Sequence, residues 1–412
     1  MNNLCKLAWR NIWRNRRRSL ITAAAVAFSV MVLVFTEALL VGSHEQMVLQ
    51  ALDTYKVGQI QAQARGYQED PTIFKGFVPP PELIAFLKES RELRGFAPRV
   101  QGEGLAAVGQ ESKGVLIMGI DPDLERRITP IAEEIVAGNY LDQGDLEGAL
   151  VGDRLLKNLG AELGDSLALI AKTRLGSLGA ARGRIRGVFH TGVPALDGGL
   201  VYLPIRSAQE LFTFDDRVTM LVLKLRDPSP AKLNRVKRAL LAEIDPAELE
   251  VLTWPEFMPG LVQLLRFDSA TGYVFLLILL LVIAFGVLNT ILMAVLERTR
   301  EFGVLLSLGT KPRRIFGLIL LEALFIALIG AAAGALLGSG VSAYVVHHPI
   351  NLSGSSMESF ESWGIKPLFY AQLNLKIVIY PALVVLGLGV LMALWPALRA
   401  ARFAPVEALR AA

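Results

Sequence analysis

Two carboxylates, Glu37 and Glu322, stand inside stretches that otherwise carry no charge, and His44, His190, His347 and His348 are the chain's imidazoles. These are the groups equipped for proton transfer or metal binding. A carboxylate inside a membrane is costly and marks an ion path or a partnered structural position. Glu37 lies about two turns from the outer end of its stretch, within reach of headgroups or water. Glu322 lies two turns inside the opposite end of its own and can accept a hydrogen bond from a neighbouring helix or pair with an interfacial arginine. Structural and transport roles both stay open, although no relay of further acids and histidines accompanies either residue. His347 and His348 are adjacent, and adjacent side chains on a helix point about 100° apart. They suit a helix end better than a shared metal ion. The sequence holds no Gly-x-x-x-x-Gly-Lys-Ser/Thr loop, no His-Glu-x-x-His and no Gly-x-Ser-x-Gly, so neither P-loop ATP binding nor these hydrolytic chemistries are expected. The chain reads as non-catalytic, with no metal of its own.

The elements that carry these residues are membrane helices. Of 412 residues, 53% are hydrophobic and 19% charged, a low charge content for a soluble protein. Four stretches reach the ~20 apolar residues a bilayer requires: 19–42, 270–296, 315–346 and 377–398. A basic segment precedes the first, as in a signal peptide. Its apolar run is too long and lacks a small-residue cleavage site, so an uncleaved anchor is expected. The single cysteine, Cys5, rules out an internal disulfide framework.

Basic residues orient the spans. Six precede Ser19 without an acid, five lie in 297–314 (Arg298, Arg300, Lys311, Arg313, Arg314), and three follow the last span (Arg399, Arg402, Arg410). The loop 347–374 has one, Lys366. Residues 1–18, 297–314 and 399–412 are thus expected in the cytoplasm, and 43–268 and 347–374 outside it. Segment 43–268 holds 26 Lys and Arg against 31 Asp and Glu, a net of −5. The overall charge of +4 is therefore a topology signal and gives no support for nucleic-acid binding.

Segment 43–268 predicts a mixed α/β domain. Strands are expected at "VGQIQAQARGY", "RVTMLVLKL" and "LEVLTW", and helices at "PPELIAFLKES" and "SPAKLNRVKRALLAEI". "GALVGDRLLKNLGAELGDSLALI" reads as strand, helix, turn, strand. The glycine-richer block at about 113–203 is expected as an insertion between two halves of an α/β unit. In the third span, Gly330, Gly334 and Gly338 recur every four residues, giving one helix face close-packing capacity.

"ERTREFGVLLSLGTKPRR", Glu297–Arg314, reads as a helix despite its position between two spans. Phe302, Leu305 and Leu306 share a face, with Val304 and Leu308 nearby. Gly309 and Pro312 end it. Glu297 and Glu301, four apart, stack like charges that Arg298, Arg300 or a partner can offset. Such a helix either lies on the membrane surface or docks into a partner.

That stretch resembles the coupling helix of FtsX/MacB-type ABC permeases. "WPALRAARFAPVEALR" resembles the family's closing motif, and "LAWRNIWRNRRRSLIT" its basic lead into the first span. "GVLIMGIDPDLE", "VGDRLLKNLGAELGD" and "VGQIQAQARGY" are most similar to lipoprotein-releasing permeases of the LolC/LolE type. The resemblance implies a four-span permease with a large MacB-like mixed α/β extracytoplasmic domain between the first two spans, in a bacterial inner membrane. It implies a second permease chain, homo- or heterodimeric, and a separate ATPase pair that holds ATP and Mg. It implies that Glu297, Glu301, Phe302, Gly303, Leu305, Leu308 and Gly309 couple to that ATPase, with Phe302 and Leu305 inserted in its groove. Lipoprotein would leave the outer leaflet between the first and second spans, past Phe35, Leu39, Leu40, Met47, Leu264, Phe267 and Tyr273, toward a periplasmic carrier. The hairpin "AKTRLGSLGAARGR", Ala171–Arg184, stands where LolC-type permeases carry their carrier-holding hook, but it is shorter and lacks the hook's proline-rich look; a plain hairpin loop is the alternative, and recruitment of the carrier by this chain or by a partner permease stays open. MacB-like efflux and FtsX-like signalling to a cell-wall hydrolase are the competing readings.

Overall fold

The computed structural model describes residues 2–14, 16–351 and 368–402. Two compact units emerge, one from Met1–Gln46, Leu264–Leu352 and Leu368–Ala412, the other chiefly from Met47–Gln263. The helices are α1 Asn2–Arg14, α2 Arg16–Thr54, α3 Pro81–Glu89, α4 Pro122–Ile128, α5 Asp153–Asn158, α6 Pro194–Gly199, α7 Ile205–Phe212, α8 Pro230–Ala242, α9 Trp254–Phe257, α10 Pro259–Glu297, α11 Thr299–Ser307, α12 Pro312–His347 and α13 Leu375–Ala401. The main strands are β1 Ile60–Ala64, β2 Leu93–Val108, β3 Glu111–Ile120, β4 Ile135–Gly138, β5 Gly148–Gly152, β6 Ser166–Lys172, β7 Leu178–Phe189, β8 Leu200–Pro204, β9 Met220–Leu225 and β10 Leu249–Thr253.

Helices α2, α10, α12 and α13 are long and apolar enough to cross a membrane. They outrun the apolar stretches that announce them. The 39-residue α2 and α10 would each measure about 58 Å, against a hydrocarbon core of about 30 Å. Pro381 and Pro396 sit inside α13, where membrane helices tolerate proline because neighbouring groups satisfy the freed carbonyls. Most of the 347–374 loop, with Lys366, and the tail beyond 402, with Arg410, lie outside the described residues.

Within the membrane unit the glycine stripe packs α12 onto α2. A Cβ on Gly330 would lie 2.7 Å from Val26 Cβ, on Gly334 2.3 Å from the Ala27 carbonyl oxygen, and on Gly338 3.0 Å from Val34 Cβ. Gly340, off the stripe, has nothing within 4 Å. Close backbone approach replaces a hydrophobic driving force that lipid cannot supply.

In the α/β unit the strand order is β10-β1-β9-β2-β3-β8-β5-β7-β4, with β6 pairing both β2 and β7. Strand β2 serves two cores. Its first half, Leu93–Arg99, pairs antiparallel with β9, and α3 and α8 cover that sheet through Leu83, Leu87, Leu233, Val236 and Leu240. Its second half pairs with β3 along Arg99–Val108 and with β6 at Gly104–Ala107. The pairing β2-β3-β8-β5-β7-β6 then returns to β2. That ring encloses Val100, Val115, Ile117, Val151, Leu167 and Ile185, among others. All the strands and helices read from the quoted segments occur, and the block 113–203 supplies β3–β8 within this one unit.

Candidate functional site

Helix α11 is shorter than the 297–314 expected: Glu297 ends α10, Arg298 is the N-terminal cap, and Pro312 opens α12. Gly309 takes the left-handed conformation, φ 85°. It lets the Gly309 and Thr310 amides donate to the Leu306 and Leu305 carbonyls, closing the helix as a Schellman motif.

The faces of α11 are not those expected. Phe302 is 1% exposed and packs with Val295, Ile315, Ile319, Ala397 and Ala400 of α10, α12 and α13. It belongs to the chain's own core and offers no side chain to a partner groove, because the apolar face it heads is met by three spans of the same chain. Gly303 is buried beside it. The exposed edge is Val304, Leu305 and Leu308, the last 78% exposed.

An ion-pair network braces α11. Arg14 Nη2 donates to both Glu301 oxygens at 3.0 and 2.8 Å. Arg298 Nε donates to Glu301 at 3.0 Å, and its Nη1 to the Glu322 oxygens at 3.2 and 2.9 Å. Asn11 Nδ2 donates to Glu322 at 2.6 Å. The Arg298 guanidinium lies 5.1 Å from the Phe302 ring centroid, within cation–π range. Arg18 pairs with Glu297. One arginine thus joins α11 to α12, and Arg14 joins it to α1. The like charges at Glu297 and Glu301 have separate arginine partners. Burial pushes the Glu301 carboxyl up, but Arg298 and Arg14 outweigh it and hold it below the usual range. A cavity of about 60 Å³ lies behind the brace, lined by Asn11, Arg18, Thr22, Thr290, Arg298 and Glu322 among others, with polar partners and room for a water or two. Sequence reading offered an interfacial arginine for Glu322 but not its identity. The 24-residue separation spans the whole of α11, the loop after it and about three turns of α12.

The candidates at the outer ends of the first two spans divide. Phe35 and Leu39 pack on Ala38, Val345, Ala371 and Ile377, toward α12 and α13, so they do not line the α2–α10 seam. Leu40, about 100° further round the helix, does face it: its methyls lie 3.5 and 3.6 Å from where a Gly272 Cβ would be. One turn on, His44 Nε2 and Asp268 Oδ2 are 2.6 Å apart. Leu264, Phe267 and Tyr273 are exposed on α10, at 42, 73 and 58%. Met47, in the other unit, and Glu37 are half-buried.

The family described as "MacB-like periplasmic core domain" matches residues 19–241, and "FtsX-like permease C-terminal" matches 273–405. The chain is 26% identical to the "Lipoprotein-releasing system transmembrane protein LolC" of Neisseria meningitidis over 80% of each chain. It is 26% identical to the LolE protein of Haemophilus influenzae over 78% of this chain and 79% of that one. It is also 25% identical to the "Pyoverdine export ATP-binding/permease protein PvdT" of Pseudomonas syringae, covering 98% of this chain but 58% of the relative. The chain belongs to the MacB-like periplasmic core domain family, carries an FtsX-like permease C-terminal region, and is an ABC-transporter permease of the LolC/LolE/MacB/FtsX group.

Proposed function

We propose that the chain is the transmembrane subunit of a machine that lifts lipoproteins out of the outer leaflet of a bacterial inner membrane toward a periplasmic carrier. Two separate ATPase subunits, which hold ATP and Mg, act on α11, and a second permease chain pairs with this one in the membrane. The termini and α11 face the cytoplasm, and the α/β domain lies in the periplasm between the first two spans, as the basic-residue asymmetry supports. The observation that carries this reading is the division of α11. Its buried Phe302 and paired Glu301 fasten it to the bundle, while Val304, Leu305 and Leu308 remain exposed to receive force.

A lipid-anchored cargo is held by roughly 0.8 kcal/mol per buried methylene, so several acyl chains make spontaneous release too slow to be useful. Energy must therefore reach the outer leaflet. Leu40, Leu264, Phe267 and Tyr273 supply an apolar path beside the α2–α10 seam. The relatives named as lipoprotein-releasing support this cargo. The pyoverdine-export relative supports efflux as the competing reading.

Depleting the chain and fractionating the cell's membranes tests the proposal. Lipoproteins bound for the outer membrane should accumulate in the inner membrane. Unchanged lipoprotein sorting, with increased sensitivity to a secreted compound, would replace the proposal with efflux.

A further inference from the structure

Strands β5 and β7 run parallel and place Gly152 opposite Phe189. The residues that follow, Asp153 and His190, therefore emerge side by side at one end of the sheet. Helix α6 brings Asp197 to the same point. One donor atom from each of the three lies within 4.8 Å of the others.

We propose that Asp153, His190 and Asp197 bind a divalent transition-metal ion, zinc(II) being the best match. His190 Nδ1 is 3.4 Å from Asp153 Oδ1 and 3.4 Å from Asp197 Oδ2. An N–H···O hydrogen bond measures about 2.7–3.2 Å, so both separations are too long for well-formed bonds. Zinc–nitrogen and zinc–oxygen bonds of about 2.0–2.2 Å put neighbouring tetrahedral ligands about 3.4 Å apart. The donors are thus spaced for an ion between them.

The surroundings agree. Asp153 Oδ1 is buried and makes no well-formed hydrogen bond, its recorded polar neighbour being His190 Nδ1 at 3.4 Å. Asp197, 1% exposed, is oriented by the Thr191 amide and hydroxyl at 2.8 Å and the Gly192 amide at 3.2 Å. Such outer hydrogen bonds fix a ligating carboxylate. His190 is 50% exposed, which leaves a fourth position open to water. Lys157, 3.5 Å from the other Asp153 oxygen and 76% exposed, can swing away. An imidazole with two carboxylates suits zinc or manganese rather than calcium or magnesium, which favour all-oxygen sites. A bound ion would clip α5, α6 and the end of β7 together.

The test uses the full-length, tag-free chain in detergent, stripped with a chelator and titrated with zinc chloride by calorimetry. One ion per chain should bind and raise the unfolding temperature. Asp153→Asn and His190→Ala should each weaken zinc binding at least tenfold, in line with the losses seen around metal sites. The double variant H347A/H348A should bind as wild type does. Cobalt(II) should give the intense visible bands of a four-coordinate site. Absence of binding at micromolar zinc would overturn the proposal, as would binding lost only in H347A/H348A. So would metal-free D153N unfolding earlier than wild type with zinc uptake unchanged, which assigns the cluster to a protonated His190 bridging two carboxylates.

Discussion

Removing Arg298 isolates what the brace contributes. Arg298 and Glu322 side chains are 12% and 16% exposed and meet at 2.9 Å. Truncating one partner of a buried pair costs about 3–5 kcal/mol, because the other charge is left without compensation. Here the loss is smaller, since Asn11 still donates to Glu322 at 2.6 Å and the adjoining cavity admits water. For R298M we expect about 2–3 kcal/mol. E322Q should cost less, because the guanidinium keeps Glu301 at 3.0 Å. In a double-mutant cycle, R298M/E322Q should lose less than the sum of the two singles, with a coupling energy of about 1.5–2 kcal/mol. Denaturant titration of the purified chain in mixed micelles supplies the stabilities, and ATPase stimulation by the permease in the assembled complex supplies the coupling readout. Additivity within about 0.5 kcal/mol, with ATPase stimulation intact in R298M, would show that the pair is incidental and the brace transmits nothing.

Phe302→Ala should cost about 3–5 kcal/mol of the chain's own stability, as truncation of a buried aromatic does, whereas Leu308→Asp at the exposed edge should leave the unfolding midpoint within about 0.5 kcal/mol of wild type and weaken ATPase capture in a pull-down. Gly334→Ala should destabilise by 1 kcal/mol or more, on the order of other overpacking changes, because its Cβ would press on the Ala27 backbone; Gly340→Ala, with open space around it, should be neutral or slightly stabilising by thermal denaturation. Burial pushes the Glu256 carboxyl up, but Lys237 and the Thr253 amide and hydroxyl hold it below its usual range. Its folded pKa is depressed, so its contribution is present above about pH 4.3 and lost as pH falls through the folded value; E256Q should flatten that acid limb of the stability profile. A cysteine at Gly176 should label from outside intact cells and one at Thr310 only after permeabilisation, as the charge asymmetry requires.

Elements with a strong local pattern were legible in the sequence. The four apolar runs, the Gly309–Pro312 stop and the strand-turn-helix signals at 148–172 depend on neighbours in the chain. The glycine stripe also read correctly as a packing face, though not which helix it meets. What failed depends on rotation about a helix axis and on distant partners. Phe302 was read as an outward anchor because amphipathic spacing identifies an apolar face without saying whose surface covers it. Phe35 and Leu39 were grouped with Leu40 by proximity, although a 100° step sends them to different neighbours. The return of β6 to β2 and the meeting of Asp153 and His190 come from strand pairings between residues 61–67 and 36–37 apart respectively, which no periodicity encodes.

The most direct measurement is ATP-driven release of a fluorescent lipoprotein from proteoliposomes that contain the chain, its partner permease and the ATPase pair, with an acceptor carrier outside. Wild-type vesicles should release cargo only with hydrolysable ATP, and vesicles carrying L305D/L308D should hold folded permease yet release none above the ATP-free background. Release by L305D/L308D at the wild-type rate would contradict the account that force enters through the exposed edge of α11, and ATP-independent release by wild type would contradict the machine itself.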